Sequence, residues 1–187
     1  MKKNAKEVDS QSLNNILGRL RLEYWKNLSD TQEEEKQEGV ELLTFWLADE
    51  HYGVDLSLSR HLLKLPKIVK LPQVNPYIMG VFNLRGDIVP ALDLRKLFGL
   101  KETDVSEDSR LLVVEAKSIM IALFLDRIGD IIFAEKKKLQ AVAPENSAIP
   151  TQFLKGYFLS EDQKGKVLIY LDLEQLLTSE QLAEGLR

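Results

Sequence analysis

The segment G80-V-F-N-L-R-G-D-I-V-P-A-L-D-L-R-K-L-F-G99 restricts the fold more than any other part of the chain. Val81, Phe82 and Leu84 lead into a turn at Arg85-Gly86-Asp87, and Ile88, Val89, Ala91, Leu92 and Leu94 lead out of it. Apolar runs on both sides of a glycine turn predict a β-hairpin with at least one buried face. Pro90 has no N–H to give a sheet ladder, so its strand lies at an edge or carries a bulge there. Arg95 to Phe98 then read as a short helical turn. A weaker copy runs from Gly156 to Leu177, where Gly156 answers Gly80 and L171-D-L-E-Q-L176 answers L92-D-L-R-K-L97. The chain reads as a doubled β-domain.

Residues 1–39 differ in character. Leu13, Ile16, Leu17, Leu20, Tyr24 and Leu28 recur at three- and four-residue steps behind Ser10 or Ser12, which predicts an amphipathic helix. The helix either packs on its own domain or binds a partner or a second copy. T31-Q-E-E-E-K-Q-E-G39 has almost nothing to bury and reads as an acidic linker. From Val40 onward the pattern is β. Val40–Ala48 and Tyr52–Ser57 form strands about a turn at 49–51, Leu58–Leu65 is open between a helical turn and an irregular strand, and Lys67–Leu71 is a short strand. The prolines at 72 and 76 force an extended loop. After the polar loop 101–109 a second cycle begins, with strands over Arg110–Ala116 and Ile119–Leu125, a turn at Lys117-Ser118 and a continuation through Ile132. Ser179 caps a closing helix through Leu186. Two cycles, roughly 40–100 and 110–187, fit two small barrels sharing a core, because closure removes exposed strand edges.

Composition narrows the function classes. Among 187 residues, 25 basic and 29 acidic side chains leave a formal charge of -4, which argues against a nucleic-acid surface. The only basic run, Lys136-Lys137-Lys138, is the mark of a solvated edge or helix start. With no cysteine, disulfide and thiolate chemistry is excluded. No signal peptide and no membrane-length apolar stretch is expected, so the sequence reads as a cytoplasmic protein.

The inventory for catalysis is short. Two histidines, His51 and His61, and no cysteine do not assemble a zinc site, and no metal or cofactor is expected. No glycine-rich phosphate loop or hydrolase serine elbow is present. Asp93 and Asp172 hold matching places before short helices, where an aspartate caps free backbone N–H groups. Arg85, beside the tight turn at Gly86, needs an internal carboxylate or carbonyl, or offers its guanidinium to a partner. The inventory favours an interaction protein over an enzyme.

L43-T-F-W-L-A-D-E-H-Y-G-V-D55, L71-P72 and G80-V-F-N-L-R-G-D-I-V-P-A-L-D-L94 together resemble the CheW-like domain family. L112-V-V-E115, L123-F-L-D-R-I-G-D-I131, L154-K-G-Y-F158 and V167-L-I-Y-L-D-L-E-Q-L-L177 extend the resemblance to about Leu182, leaving residues 1–39 outside it. The resemblance implies a mainly β fold, two five-stranded SH3-like β-barrels packed together, here with an extra N-terminal α-helix. It also implies a non-catalytic adaptor that joins the cytoplasmic tip of methyl-accepting chemoreceptors to the CheW-like regulatory domain of the histidine kinase CheA, in arrays on the cytoplasmic side. With no kinase, phosphotransfer or receiver region, the sequence is unlike CheA or CheV.

Carried over by residue, the family's receptor-facing groove is expected near Ser59, His61, Gly80 and Arg85. Gly80 is expected to leave room for a receptor hairpin, and Gly86, Asp93 and Asp172 to serve turns and caps. The family's V-x-E-[IV] stands here as S59-R-H-L62, with His61 in place of a glutamate that would partner Arg85. That departure motivates an alternative, a specialised adaptor in a non-flagellar or accessory pathway with altered receptor binding. A small-ligand protein or enzyme on the same fold, and a nucleic-acid-binding barrel, are the rivals from other classes.

Overall fold

The computed structural model describes residues 38–141, 149–159, 167–180 and 182. The expected N-terminal amphipathic helix lies outside the described residues, as does nearly all of the acidic linker. Ten strands are described: β1 (Gly39–Leu47), β2 (Glu50–Asp55), β3 (Ser59–Lys64), β4 (Ile78–Leu84), β5 (Asp87–Leu92), β6 (Arg110–Ala116), β7 (Ile119–Leu125), β8 (Arg127–Glu135), β9 (Leu154–Leu159) and β10 (Val167–Leu171). Helix α1 (Leu94–Phe98) follows β5, and α2 (Leu173–Leu177) follows β10.

The strands form two five-stranded sheets, ordered β8-β1-β2-β10-β9 and β3-β6-β7-β5-β4. Each sheet is closed by one bridge from beyond its edge strand. Val69, past β3, exchanges hydrogen bonds of 2.8 and 2.9 Å with Val81 of β4. Gln140, past β8, does the same with Tyr157 of β9 at 2.9 Å each way. The sheets are therefore two barrels, I and II in the order given. The segment Lys67–Leu71, expected as a strand, supplies only the Val69 bridge.

The division of the chain between barrels corrects the expectation of one barrel per half. Barrel I takes β1 and β2 from the first cycle and β8–β10 from the second, while barrel II takes β3–β5 and then β6 and β7. Each cycle lends its opening hairpin to the other, and the exchange is sealed by parallel pairing of β2 with β10 and of β7 with β5.

This exchange explains the unbroken apolar runs of β6 and β7. Leu111, Val113, Ala122 and Phe124 fill barrel II, together with Phe82, Val89 and Ala91. Leu112, Val114, Ile121, Leu123 and Leu125 point the other way and join Leu43, Phe45, Leu47, Tyr52 and Val54 in a core shared between the barrels. Barrel I has its own smaller interior of Leu42, Ala134, Phe158, Leu168 and Tyr170. Strands buried on both faces lose the polar alternation of a half-exposed sheet. Both helices lay apolar residues on the shared core, Leu94 and Phe98 from α1 and Leu173, Leu176 and Leu177 from α2.

Local chemistry fixes the turns and caps. Leu84 pairs with Asp87 across a two-residue turn in which Arg85 (φ 56°) and Gly86 (φ 108°) both have positive φ, as the strand twist favours. Pro90 lies opposite Val81, and the pairing of β5 with β7 begins only at Ala91, so the missing N–H is not needed. Asp93 Oδ1 accepts from Arg95 N–H at 3.0 Å, and Asp172 Oδ1 from Gln175 N–H at 3.0 Å. Ser179 Oγ accepts from Leu182 N–H at 3.3 Å, while most of the expected closing helix lies outside the described residues.

Candidate functional site

Ser59, His61, Gly80 and Arg85 all fall on barrel II, the first three on the two strands that flank its closure and Arg85 in the turn after one of them. Ser59 and His61 stand on β3 opposite Val114 and Val113 of β6, with a register shift between them that leaves Arg60 as an extra residue. A bulge bends its strand and re-aims the neighbouring side chains. Here Arg60 turns outward, with Nε on Glu115 Oε2 at 2.9 Å and Nη1 on Ser57 O at 2.8 Å. Ser59 and His61 are half-buried. The Ser59 hydroxyl is shielded from solvent and has no hydrogen-bond partner among the described residues. A hydroxyl in that state costs roughly 1–3 kcal/mol, whereas a branched hydrophobe would fill the same place without loss.

Gly80 is buried, and its role is internal. A Cβ built there would lie 2.2 Å from the carbonyl oxygen of Val69, and its φ is +136°. Gly156 repeats the arrangement in barrel I, with φ +148° and the Gln140 carbonyl oxygen 2.5 Å from a built Cβ. Each glycine lets the closing segment come against its barrel. The room that Gly80 was expected to leave for a receptor hairpin is filled by the chain itself. Gly86 differs again: nothing lies within 4 Å of a built Cβ, so only its φ calls for glycine.

Arg85 sits at the tip of the β4–β5 hairpin with its side chain exposed. Among the described residues its guanidinium makes no hydrogen bond or ion pair. None of the described residues supplies the internal anchor considered for it, and the side chain is exposed. Beside it on β5, Ile88 is 66% exposed. Leu62 on β3 and Val69 and Leu71 beyond it are exposed as well. Barrel I carries counterparts in corresponding places: Phe133 on β8 matches Leu62, and Val167 on β10 matches Ile88. Val167 pairs directly with the exposed Leu159 of β9. Each barrel thus carries large exposed apolar side chains at corresponding positions.

Arg95 was read only as part of a helical turn, yet it is the most heavily bonded side chain described. It is 3% exposed, its Nε and Nη2 bind Asp93 at 2.9 and 2.7 Å, and its Nη1 binds Asp126 Oδ1 at 2.5 Å. Nη1 also reaches the carbonyl and hydroxyl of Thr103, and the guanidinium lies over the Phe124 ring at 4.3 Å. Burial opposes its charge, but Asp93 and then Asp126 outweigh that and raise its pKa. An arginine two residues after a capping aspartate, within the apolar run Leu92–Phe98, was the available signal. Asp126 is far away in sequence and gave none.

The other shifted groups also have internal causes. Burial and then Asp55 push Tyr170 up to about 12. Lys155 is raised, burial opposing and the Asp55 hydrogen bond prevailing. Glu135 is lowered by hydrogen bonds from Lys137 and Lys138. None of these groups lines the open cleft on barrel I that Trp46, His51, Arg127, Asp130, Val167 and Ile169 border. There Trp46 stacks on His51 at 4.3 Å and lies beneath the Arg127 guanidinium at 4.9 Å.

Two closed barrels with exchanged hairpins and a shared core, each with exposed apolar side chains at corresponding positions, define the class of paired-barrel domain to which this chain belongs. The CheW-like domain profile matches residues 41–181, and the chain belongs to that family. It is 29% identical over 107 residues to a chemotaxis protein CheW of Bacillus subtilis, covering 57% of this chain and 68% of that one. It is 27% identical to a chemotaxis protein CheW of Treponema pallidum, covering 78% of this chain and 86% of that one. The crystal structure of the scaffolding protein TtCheW from Thermoanaerobacter tengcongensis superposes with a TM-score of 0.69 at 29% identity, covering 79% of this chain and 94% of that one.

Proposed function

We propose that this chain is a non-catalytic coupling adaptor of a bacterial chemosensory array, working in the cytoplasm between chemoreceptor tips and the regulatory domain of the histidine kinase CheA. The observation that carries the reading is the pairing of surfaces. Arg85, Leu62 and Ile88 on barrel II and Phe133, Leu159 and Val167 on barrel I are exposed on one body, so two partners can be held at once. The receptor fits barrel II, which carries the Ser59–His61 bulge on β3 and the exposed Arg85 at the β4–β5 turn. The kinase domain, itself CheW-like, fits the matching apolar surface of barrel I. Arginine and large apolar side chains are the usual anchors of such interfaces. Individually modest contacts gain strength from the array.

The test is titration calorimetry of the full chain against a CheA regulatory domain and a receptor cytoplasmic fragment. Binding of both is expected. Arg85→Ala should weaken the receptor fragment about tenfold or more with the fold intact, the scale of an interface anchor. Failure to bind either partner would dispose of the reading.

His61 and the unsatisfied Ser59 favour a second version, an accessory adaptor tuned to an unusual receptor set. A carboxylate at 61 would pair with a guanidinium, whereas imidazole accepts one hydrogen bond when neutral and repels it when protonated. Receptor fragments from the main flagellar pathway should bind the His61→Glu variant more tightly than the parent. Equal binding removes the support for specialisation.

A further inference from the structure

The chain crosses between the barrels twice, and an aspartate stands at each crossing. Asp55 ends β2 before a 3-10 turn, Leu56–Leu58, that leads into barrel II. Asp126 is the single residue between β7 of barrel II and β8 of barrel I. Asp55 turns back to its own barrel, binding Lys155 of β9 and Tyr170 of β10, each at 2.7 Å. Asp126 reaches both.

On the barrel I side, Asp126 N–H donates to Trp46 O at 3.1 Å, and Asp126 Oδ2 accepts from Ala48 N–H at 2.7 Å. Those two bonds hold the β1–β2 turn. On the barrel II side, Oδ1 accepts from Arg95 Nη1 of α1 and from Thr103 Oγ1 at 2.6 Å. The position matching Arg95 in α2 is Glu174, which is exposed and reaches Lys117 only at 3.7 Å. The approximate two-fold repeat is thus broken at one joint, where a buried ionic cluster takes the place of a surface pair.

The shared core already holds the barrels together, but apolar burial has no preferred direction. A guanidinium bonded to two carboxylates does have one. We propose that Arg95 and Asp126 are positioning residues that fix the β1–β2 turn of barrel I against the α1 end of barrel II, and that coupling between partners on the two barrels passes through this cluster. The proposal rests on the adaptor reading. A coupling protein works by a free energy shared between two sites, and that free energy must travel through packed or hydrogen-bonded elements joining them.

The experiment uses the full chain and two variants. Asp126→Asn removes the charge, and Thr103→Val removes one hydroxyl at the margin of the cluster and keeps the fold if the first does not. The affinity of the CheA regulatory domain is measured with and without saturating receptor fragment, and the ratio of the two is the coupling factor. For the parent it should differ from one by about fivefold or more. In the variants each partner alone should bind within about twofold of the parent, the coupling factor should fall towards one, and the Ala48 amide should exchange faster. A role in stability alone would leave the ratio unmoved. Retention of the parent ratio in every folded variant overturns the proposal while the adaptor reading stands. A parent that binds neither partner, or binds both with a ratio of one, removes the coupling reading and this inference with it.

Discussion

At the residue scale, two cooperating side chains contribute to how barrel I responds to alkaline pH. Tyr170 O–H donates to Asp55 Oδ1, and Lys155 Nζ donates to Asp55 Oδ2, both at 2.7 Å. The ammonium also lies 5.0 Å over the Tyr170 ring. Both pKa values are raised in the folded chain, Tyr170 to about 12 from an ordinary 10.0. A raised folded value means that the protonated form is favoured by folding. The stabilisation is complete below the unfolded pKa and is lost as pH rises through the folded one. Tyr52, buried and bonded to Glu50, shifts in the same direction. The chain should therefore lose stability between about pH 10 and 12, read from urea midpoints across that range. Tyr170→Phe should lower the midpoint at pH 8 and flatten the alkaline loss. An unchanged slope in that variant would mean the pair does not titrate with folding.

At the scale of elements, the barrels depend on two closing bridges, and each bridge depends on a glycine. Among the described residues, the Val69–Val81 and Gln140–Tyr157 pairs are the backbone bridges between each closing segment and the strand it meets. A Cβ at 80 or 156 enters the space of the opposing carbonyl and must also adopt a φ that favours glycine. Gly80→Ala and Gly156→Ala should each destabilise the chain by roughly 1–3 kcal/mol, the range for a forced backbone conformation. Hydrogen exchange should rise first at the Val69 and Val81 amides in the former and at Gln140 and Tyr157 in the latter. A Gly80→Ala variant of parental stability that lost only receptor binding would return the residue to the partner surface. This pairing of glycines was visible in the sequence as Gly80 answering Gly156. Its cause was not, because the carbonyls that require it lie beyond the hairpins, in the short Lys67–Leu71 segment and in the irregular stretch after β8, and nothing along the chain links them to the glycines.

For the whole molecule, the sequence carried local facts and withheld a topological one. The hairpin about Arg85-Gly86, the Lys117-Ser118 turn, the aspartate caps and the mainly β character were legible because each is set by neighbours along the chain, whereas the count of five strands per barrel came with the family resemblance. The exchange of β1–β2 for β6–β7 was not, since both hairpins bury both faces and would satisfy either barrel by pattern alone. The same limit hid Asp126 as the partner of Arg95. The exchange has a direct consequence for folding. A chain divided within the polar loop at residue 104 would leave β1–β5 in one piece and β6–β10 in the other. Neither piece holds a complete sheet, because barrel I needs β8–β10 and barrel II needs β6 and β7. Each would also expose one side of the shared core, so neither recovers the apolar burial that offsets chain entropy. Fragments 1–104 and 105–187 should each lack dispersed amide resonances alone and regain them when mixed, with a stability that rises with concentration. A first fragment that folded by itself, with the spectrum of a single closed barrel, would show that the hairpins can return to their own cycles and that the exchanged arrangement is one of two available packings.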